Sequence, residues 1–501
     1  MKYLKVKLWG KEIGRLAWEA STRRTYFMYN SKAGNDIPDI APLLYPVGTR
    51  NPMLPIYGDD RPMYQGLPPF IADSLPDSWG NTLFDRWVKE NRIPRNKVTP
   101  LYKLMFIGTR GMGALEFEPC AEDLAHTRPV DIKSLYEMSL RILEERDDTV
   151  INGNDKLTLQ ALLAVGTSAG GRQMKAIIAL NEETGVIRSG QTTASEDFDY
   201  YILKFGDSSM PASQIEMAYH DMAVAAGINM EECRLLDIDG TTHFLTKRFD
   251  RKNGRKILTQ TLAAIYPEAR SYEDLVAVCR ALSLGEGETE EMFIRMVFNV
   301  IANNTDDHNK NFSFLLEENG KWCLAPAYDV TFIFNTNGTG PNRNRRLSLG
   351  GKTTDIVKSD LLDFARQLNI KNASTIIDRV ANSIEYFSEY ADKYNITQPW
   401  RGIIQKTLND NLAAYGYKED GNDYHQPMSD KYGRTITDFF ISVNSKGHYD
   451  VMALIDGNRR RRFIRSDMEL FSKLYTQDIF NLPINTRLRL IESLFPPEKR
   501  N

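Results

Sequence analysis

Residues 303–330 read NNTDDHNKNFSFLLEENGKWCLAPAYDV, and three polar residues in this stretch have the order of a phosphoryl-transfer site. Asp306 lies five positions before Asn311, and a predicted hairpin then delivers Asp329. In phosphoryl-transfer sites an aspartate orients the substrate hydroxyl, while an asparagine and a second aspartate hold the metal ions that neutralise the phosphates. The spacing therefore predicts Asp306 as the base and Asn311 and Asp329 as metal ligands.

Asp306 is followed by two residues that could also take part in the site, Asp307 and His308. Asp307 is the rival base, but kinase catalytic loops separate their aspartate and asparagine by five residues, which favours Asp306. His308 is predicted to be a structural hydrogen-bonding residue beside the nucleotide rather than a metal ligand, because no second histidine is near. The alternative for the whole stretch is an ordinary polar loop followed by a hairpin.

A run of small residues upstream is a candidate phosphate loop. It lies between two apolar runs and consists of Gly166, Thr167, Ser168, Ala169, Gly170 and Gly171. Such residues let backbone amides approach phosphate oxygens closely, although Gly/Ser stretches on their own are usually turns. Lys175 follows at the start of a strand, where its ammonium can point toward the same phosphates.

Lys204 is the stronger candidate for a phosphate-binding lysine. Its neighbours Ile202, Leu203 and Phe205 predict a buried strand, in which an unpaired ammonium would be costly. Glu216 lies twelve residues later on a predicted helix, so we expect a Lys204–Glu216 ion pair of the kinase type. A solvent-facing Lys204 is the alternative.

The stretch from Thr246 to Arg251 is predicted to connect two lobes, with backbone groups near Lys247 and Phe249 reading the adenine edge. By contrast, the glycines at 108, 111 and 113 lack the strand before and the helix after that a phosphate loop requires, so they predict a plain turn.

Composition excludes several classes of protein. A net charge of −3 over 501 residues excludes a general polyanion-binding surface. Four widely spaced cysteines and six scattered histidines predict reduced thiols and no zinc site. The N-terminus does not read as a signal peptide, and no apolar run of about 18 residues occurs, so a cytoplasmic location without membrane contact is expected.

The order of elements predicts an α+β, bilobal, protein-kinase-like fold. Residues 1–125 are strand-rich, 126–255 would form the N-lobe with the glycine-rich loop, and 256–424 a mainly helical C-lobe with the catalytic loop. Residues 425–501 form a C-terminal appendage of unknown role with a predicted hairpin. The basic run 459–462 within it is predicted as a solvated turn rather than a nucleic-acid contact.

The chain resembles the HipA family of bacterial serine/threonine kinases, the toxins of HipBA-type toxin–antitoxin modules, over residues 1 to about 420. Each motif is weak alone, but together, in the family's order, they are specific. They are SLPDSWG (74–80), GTSAGGRQMKA (166–176), YILKF (201–205), TKRFDR (246–251), NTDDHNKNFS (304–313) and LAPAYDV (324–330).

The resemblance implies a β-rich N-terminal subdomain on a kinase-like core, with ATP and Mg²⁺ as cofactors. It implies Asp306 as base, Asn311 and Asp329 as Mg²⁺ ligands, Lys204 as phosphate contact, and autophosphorylation at Ser168 or Thr167. It further implies aminoacyl-tRNA synthetases as substrates and a small DNA-binding, HipB-like antitoxin as partner, through which any contact with DNA would be indirect.

Two other functions stay open at this level. One is an ATP-binding scaffold or pseudokinase that acts by holding an antitoxin on DNA, although Lys204, Asp306, Asn311 and Asp329 are all intact. The other is a small-molecule kinase, since kinase-like folds also phosphorylate sugars and antibiotics.

Overall fold

The computed structural model describes residues 3–30, 38–47, 54–120, 130–144, 158–159, 161–163, 173–191, 197–207 and 209–415. It also describes the backbone of three strands within residues 436–465.

The N-terminal region is built on an antiparallel sheet whose strands lie in the order β4-β3-β2-β1-β5. Its strands are β1 Tyr3–Leu8, β2 Lys11–Glu19, β3 Arg24–Tyr29, β4 Ile56–Tyr57 and β5 Leu115–Glu118. Leu4, Val6 and Leu8 alternate with more exposed residues, so one face of β1 is buried. Three helices accompany the sheet: α1 Pro69–Ala72, α2 Ser78–Glu90 and α3 Pro100–Ile107.

A second antiparallel sheet, in the order β7-β6-β8-β10-β9, carries the predicted phosphate-binding lysines. Its strands are β6 Lys175–Leu180, β7 Ile187–Ser189, β8 Asp199–Lys204, β9 Cys233–Ile238 and β10 Thr241–Lys247. The helices of this region are α4 Ile132–Glu144 and α5 Ala212–Ala225. Gly227, whose φ of +87° suits glycine, follows the end of α5. Lys204 is the last residue of β8, the central strand, and is buried like Leu203 before it.

The region after residue 250 is mainly helical. Its helices are α6 Leu262–Ile265, α7 Tyr272–Ala281, α8 Glu286–Ile301, α9 Lys358–Gln367, α10 Ala373–Glu385, α11 Phe387–Lys393 and α12 Trp400–Ala414. Two small sheets interrupt it: β11 Arg251–Lys252 with β12 Arg255–Lys256, and β13 Leu258–Thr261 with β14 Ser313–Leu316 and β15 Trp322–Leu324. The second half of α8 is buried on all sides, so the loop after it starts from a rigid support.

The predicted α+β class is confirmed: antiparallel sheets come first and a helical body follows. All four cysteines are free thiols. Among the described helices, none combines the length and the apolar character that crossing a bilayer requires.

A fifth sheet lies near the C-terminus, with β16 Ile436–Val443, β17 Tyr449–Ile455 and β18 Arg459–Arg465 in that order. β16 and β17 are the two predicted strands, although the turn between them lies outside the described residues. The prediction that 459–462 is a solvated turn is wrong, because this run belongs to β18 and pairs antiparallel with β17. A run of arginines has no marked preference for a strand, so the local sequence did not predict β18. Its strand conformation comes from the hydrogen bonds with β17.

Candidate active site

A cavity of about 400 Å³ lies between the N-terminal region, the second sheet and the loop after α8. Seven of the residues predicted for the site line it: Lys204, Glu216, Lys247, Phe249, His308, Asn311 and Asp329. These residues come from positions more than a hundred apart in the chain, so the fold brings the two halves of the predicted site together.

Lys204 is held by two carboxylates at once. Its Nζ donates to Oε1 of Glu216 at 2.5 Å and also to Oδ1 of Asp329. The side chains of Lys204 and Glu216 are 10% and 9% exposed. The predicted ion pair is therefore present, and the alternative of a solvent-facing Lys204 does not apply.

The charges of this group depend on one another. Burial alone would lower the pKa of Lys204, but the charges of Asp329 and Glu216 outweigh it and raise that pKa above its ordinary value. Burial raises the pKa of Glu216, which Lys204 only partly counters. Burial also acts to raise the pKa of Asp329, yet Lys204 and then Lys175 bring it below its ordinary value. Asp329 is thus held as a carboxylate, the form that a metal ion requires.

Asp329 has a left-handed backbone, with φ +53°, that non-glycine residues adopt at some cost. The neighbouring Tyr328 fixes the segment: its hydroxyl shares a hydrogen bond with that of Ser313 at 2.6 Å and donates to the carbonyl of Lys310 at 2.7 Å. These bonds join the strand end to the loop that carries Asn311. The hydrogen bonds of Tyr328 therefore hold the backbone at Asp329 in place.

Asp306 and Asp307 have opposite environments. Asp306 does not itself line the cavity; its carboxylate is 45% exposed, 3.6 Å from Nε of Arg346 and 3.8 Å from Nε2 of His308, which does line it. The Asp307 carboxylate is fully buried and accepts from the Tyr272 hydroxyl at 2.6 Å and from Nη1 of Arg345 at 3.0 Å. Only Asp306 has an oxygen available to a substrate hydroxyl, which removes Asp307 as a rival base.

Asp307 also fixes the segment that follows the site. Its Oδ1 accepts from the backbone N–H of Arg346 at 2.7 Å and, more weakly, from that of Leu347 at 3.4 Å. Its carboxylate thus connects the loop after α8 to residues 345–347. The sequence contained no local signal for this, because the partners lie about forty positions away.

Asn311 and His308 complete the loop. Nδ2 of Asn311 donates to the backbone carbonyl of Asp306 at 2.8 Å, and its Oδ1 accepts no hydrogen bond within the described part of the chain. Nδ1 of His308 accepts from the backbone N–H of Lys310 at 3.2 Å, which is the structural role predicted for it. The Asn311 amide therefore braces the loop with its nitrogen and leaves its oxygen for a ligand.

Asn311 and Asp329 fit Mg²⁺ by the chemistry of their donors. Carboxylate and carboxamide oxygens suit this ion, which keeps several waters and takes one or two protein ligands beside substrate phosphates. No group of three or more His, Cys, Asp or Glu side chains able to hold a metal occurs among the described residues. A nucleotide-dependent Mg²⁺ site fits this donor set better than a permanent protein cage.

Lys175 does not line the cavity as predicted. Its Nζ lies 3.0 Å from Oδ2 of Asp77, with side chains 3% and 10% exposed, and Nε1 of Trp79 donates to its carbonyl at 2.9 Å. Asp77 itself lines the cavity and caps α2 through Gly80 N. A carboxylate of the N-terminal region thus stands between Lys175 and the cavity. Nothing in the sequence indicates the pairing of Lys175 with Asp77, because the two residues lie 98 positions apart.

The backbone N–H groups of the connecting stretch differ in their partners. The backbone N–H of Lys247 donates to Glu232 O at 2.9 Å and that of Arg248 to Tyr200 O at 2.8 Å. The N–H of Phe249 has no partner among the described residues, and its ring packs against Tyr328 at 5.6 Å between centroids. The predicted loop residues Gly166, Thr167, Ser168, Ala169, Gly170 and Gly171 lie outside the described residues.

Comparison with solved structures identifies the class of fold. HipA of Shewanella oneidensis MR-1, solved in a complex with HipB and operator DNA, superposes with a TM-score of 0.57 at 15% sequence identity, covering 82% of this chain and 96% of that one. The kinase CtkA of Helicobacter pylori gives a TM-score of 0.30 at 13% identity over 43% of this chain and 88% of that one, which is too low to indicate a shared fold. The chain has the kinase-like fold of HipA.

Family models identify the chain more closely. The HipA N-terminal domain matches residues 4–118 and the HipA-like C-terminal domain matches residues 167–386. The chain therefore belongs to the HipA family. A relative described as "Putative kinase Y4dM", from Sinorhizobium fredii, is 23% identical over 437 residues, which is 81% of this chain and 95% of that protein.

Proposed function

We propose that the protein is an ATP-dependent serine/threonine protein kinase that acts as a HipA-type toxin. The observation that carries the proposal is the double contact of Lys204 with Glu216 and Asp329, in a cavity that Asn311 also lines. A lysine shared between a helix glutamate and a metal-binding aspartate is the arrangement with which kinases position nucleotide phosphates. The description of a relative as a kinase supports the same conclusion.

The nucleotide would occupy the cavity with its base against the connecting stretch. The unpartnered N–H of Phe249 supplies a donor for the adenine edge, beside the carbonyl of Lys247. Lys204 would contact the phosphates, since its ammonium has three N–H donors and Glu216 and Asp329 accept from two of them. Asn311 and Asp329 would hold Mg²⁺, which neutralises phosphate charge when bound.

Asp306 would receive the proton of the substrate hydroxyl. Its carboxylate is 45% exposed beside His308, which lines the cavity, so a side chain from another protein can reach it from solvent. The amide of Asn311 holds the backbone of Asp306 and so fixes the distance between the base and the metal ligand. General base catalysis of this kind contributes about 10²- to 10⁴-fold in rate.

Membership of the HipA family is the basis for the proposed targets and the proposed partner. We propose autophosphorylation at Ser168, with Thr167 as the alternative, and inhibition of growth through a translation-related protein of the aminoacyl-tRNA synthetase class. The S. oneidensis HipA complex with HipB and operator DNA supports a small DNA-binding antitoxin as partner. Contact with DNA would then run through the antitoxin.

Phosphate transfer from γ-labelled ATP, followed by mass spectrometry of the protein and of a cell extract, tests the proposal. Wild type should label itself on Ser168 or Thr167 and label at least one extract protein, while Lys204→Met should lose most labelling. Lys406→Met, on the exposed face of α12, is the matched control and should keep it. Labelling of small metabolites without any protein would favour a small-molecule kinase, and nucleotide binding without transfer would favour a scaffold.

A further inference from the structure

The N-terminal region forms one wall of the cavity, and the polar groups still available there are neutral. Two carboxylates on this wall already have partners. Asp77 pairs with Lys175, and Asp73 accepts from the backbone N–H and the hydroxyl of Thr261 at 2.8 and 2.7 Å. The other polar side chains of the wall are uncharged: Gln65, Ser74, Ser78 and Asn81. A ligand that meets this wall is therefore recognised through hydrogen bonds rather than through charge.

The Gln65 amide is oriented by a half-buried lysine. Nζ of Lys103 donates to Oε1 of Gln65 at 3.0 Å and to Oδ1 of Asn81 at 2.7 Å. Among the described residues this ammonium forms no ion pair with a carboxylate, and burial lowers the pKa of Lys103. Because an ammonium only donates, both amides must turn their oxygens toward it. Nδ2 of Asn81 then donates to two backbone carbonyls at 2.9 and 2.7 Å, whereas Nε2 of Gln65 has no partner in the described part of the chain.

The backbone of Gln65 is held close to the loop after α8. It is left-handed, with φ +51°, a conformation that costs free energy and persists where surrounding contacts enforce it, often at functional sites. The hydroxyl of the preceding Tyr64 donates to the carbonyl of Ala263 at 2.8 Å. The N–H of Ala263 donates in turn to the carbonyl of Asn309 at 3.0 Å. Two hydrogen bonds thus connect the segment that carries Gln65 to the loop that carries the proposed base.

We propose that Gln65 binds a main-chain carbonyl of the polypeptide segment that carries the accepting hydroxyl, and that Lys103 positions its amide. This rests on the proposed kinase function and assigns a substrate contact to the N-terminal region. A neutral donor suits a neutral acceptor, and the main chain offers a carbonyl at every residue whatever the charges of the side chains. The proposed acceptors Ser168 and Thr167 lie between small residues, which leave the neighbouring carbonyls accessible.

The test is binding of a fluorescently labelled peptide with the sequence of residues 164–176 to the full chain, with Mg²⁺ and a non-hydrolysable ATP analogue. Gln65→Met keeps the approximate shape of the side chain and removes both N–H donors. Gln65→Glu removes the same donors but keeps an oxygen for Lys103. Each variant should weaken peptide binding by about five- to tenfold, as expected for one hydrogen bond, and leave the affinity for the ATP analogue unchanged. Wild-type peptide affinity in both variants, an equal loss of nucleotide affinity, or no saturable peptide binding by wild type would overturn the proposal.

Further variants separate a main-chain contact from a general effect on packing. Gln367→Met, exposed at the end of α9, is the matched control and should keep wild-type affinity. Lys103→Met should weaken peptide binding by about threefold, and Lys103→Arg, which restores a donor, should recover it. An equal loss in both lysine variants would show that Lys103 acts through packing and would overturn its positioning role.

A second peptide tests what Gln65 recognises. In it, glutamine replaces the two basic residues, Arg172 and Lys175. The factor by which Gln65→Met weakens binding should be the same for both peptides, because the main chain is unchanged. A factor near one for the second peptide would show that Gln65 recognises a side chain, which contradicts the proposal.

Phosphate transfer to the first peptide separates this inference from the proposed function. If both hold, Gln65→Met should raise the KM for the peptide more than it lowers kcat. If wild type transfers phosphate and Gln65→Met binds and transfers equally well, the kinase function stands and the contact fails. If wild type binds the peptide through Gln65 but transfers no phosphate, the contact stands and the kinase function fails.

Discussion

At the scale of single residues, the neighbouring Asp306 and Asp307 have different environments in the loop after α8. The Asp306 carboxylate is 45% exposed, whereas the Asp307 carboxylate is buried and accepts hydrogen bonds from Tyr272, Arg345 and two backbone N–H groups. Two residues of the same type therefore have different roles, which burial and hydrogen bonding determine.

Asp307→Asn should destabilise the protein by about 3 kcal/mol, because it leaves the buried Arg345 without its counter-charge. Urea unfolding followed by circular dichroism measures this. Asp306→Asn, one residue away and exposed, is the matched control and should change the free energy of unfolding by less than about 0.5 kcal/mol. A similar loss of unfolding free energy in the two variants would show that the buried contacts of Asp307 do not stabilise the fold more than those of Asp306.

His220 should make stability depend on pH. The ring is partly buried, which by itself would lower its pKa, but hydrogen bonds with Asp221 and Cys233 raise the pKa to about 10. A raised pKa in the folded state means that the stabilisation is complete below about pH 6.5, the pKa of an unperturbed histidine, and is lost as the pH rises toward 10. Lys393 and Tyr394, which bond to Asp221 from α11 and its end, stay protonated over this range.

His220→Gln should remove that part of the pH dependence. The quantity to measure is the difference in Tm between wild type and variant at pH 6.5, 8 and 9.5, which should shrink as the pH rises. A difference that stays constant across the series would show that the ring does not hold a proton in this window.

At the scale of elements, α2 and β6 are joined by the Asp77–Lys175 pair. Asp77→Asn keeps the helix cap, since Asn and Asp cap equally well, but removes the charge that balances Lys175. The variants Asp77→Asn and Lys175→Met should each cost about 2 kcal/mol or more, and the double variant should cost at least about 1 kcal/mol less than their sum. Additive losses in urea unfolding would refute a coupled pair.

Elements differ in how far the sequence predicts them. The Lys204–Glu216 pair was predictable because a strand followed directly by a helix limits where residue 216 can lie. The partners of Asp77, Asp307 and Arg346 were not, since those contacts join distant segments without any periodic pattern. For the same reason β18 was mistaken for a turn: its strand character comes from pairing with β17.

At the scale of the whole molecule, one hydrophobic core runs from Leu4 to Tyr415. Polar contacts join its parts as well: the Tyr64 hydroxyl donates to Ala263 O at 2.8 Å, and Nε1 of Trp9 donates to Lys256 O at 2.9 Å. The N-terminal region and the helical body are thus parts of one packed unit, and the cavity depends on both. The domain boundaries expected from the sequence stay a prediction.

Residues 3–415 should therefore unfold in one cooperative step. Four of the six tryptophans (Trp9, Trp18, Trp79 and Trp87) lie in the N-terminal region, while most of the helix lies after residue 211. Tryptophan fluorescence and far-ultraviolet circular dichroism in urea report on the two parts and should give the same midpoint. Two separated midpoints would show that the parts fold independently.

The most direct test of the central claim is phosphate transfer by Asp306→Asn, measured beside its affinity for ATP and its free energy of unfolding. If Asp306 is the base, transfer should fall by about 10²-fold or more, while nucleotide affinity and stability stay close to those of wild type. Asp410→Asn, an exposed aspartate on α12, should keep full transfer. Transfer at the wild-type rate in Asp306→Asn would contradict the role assigned to this residue and to the loop around it.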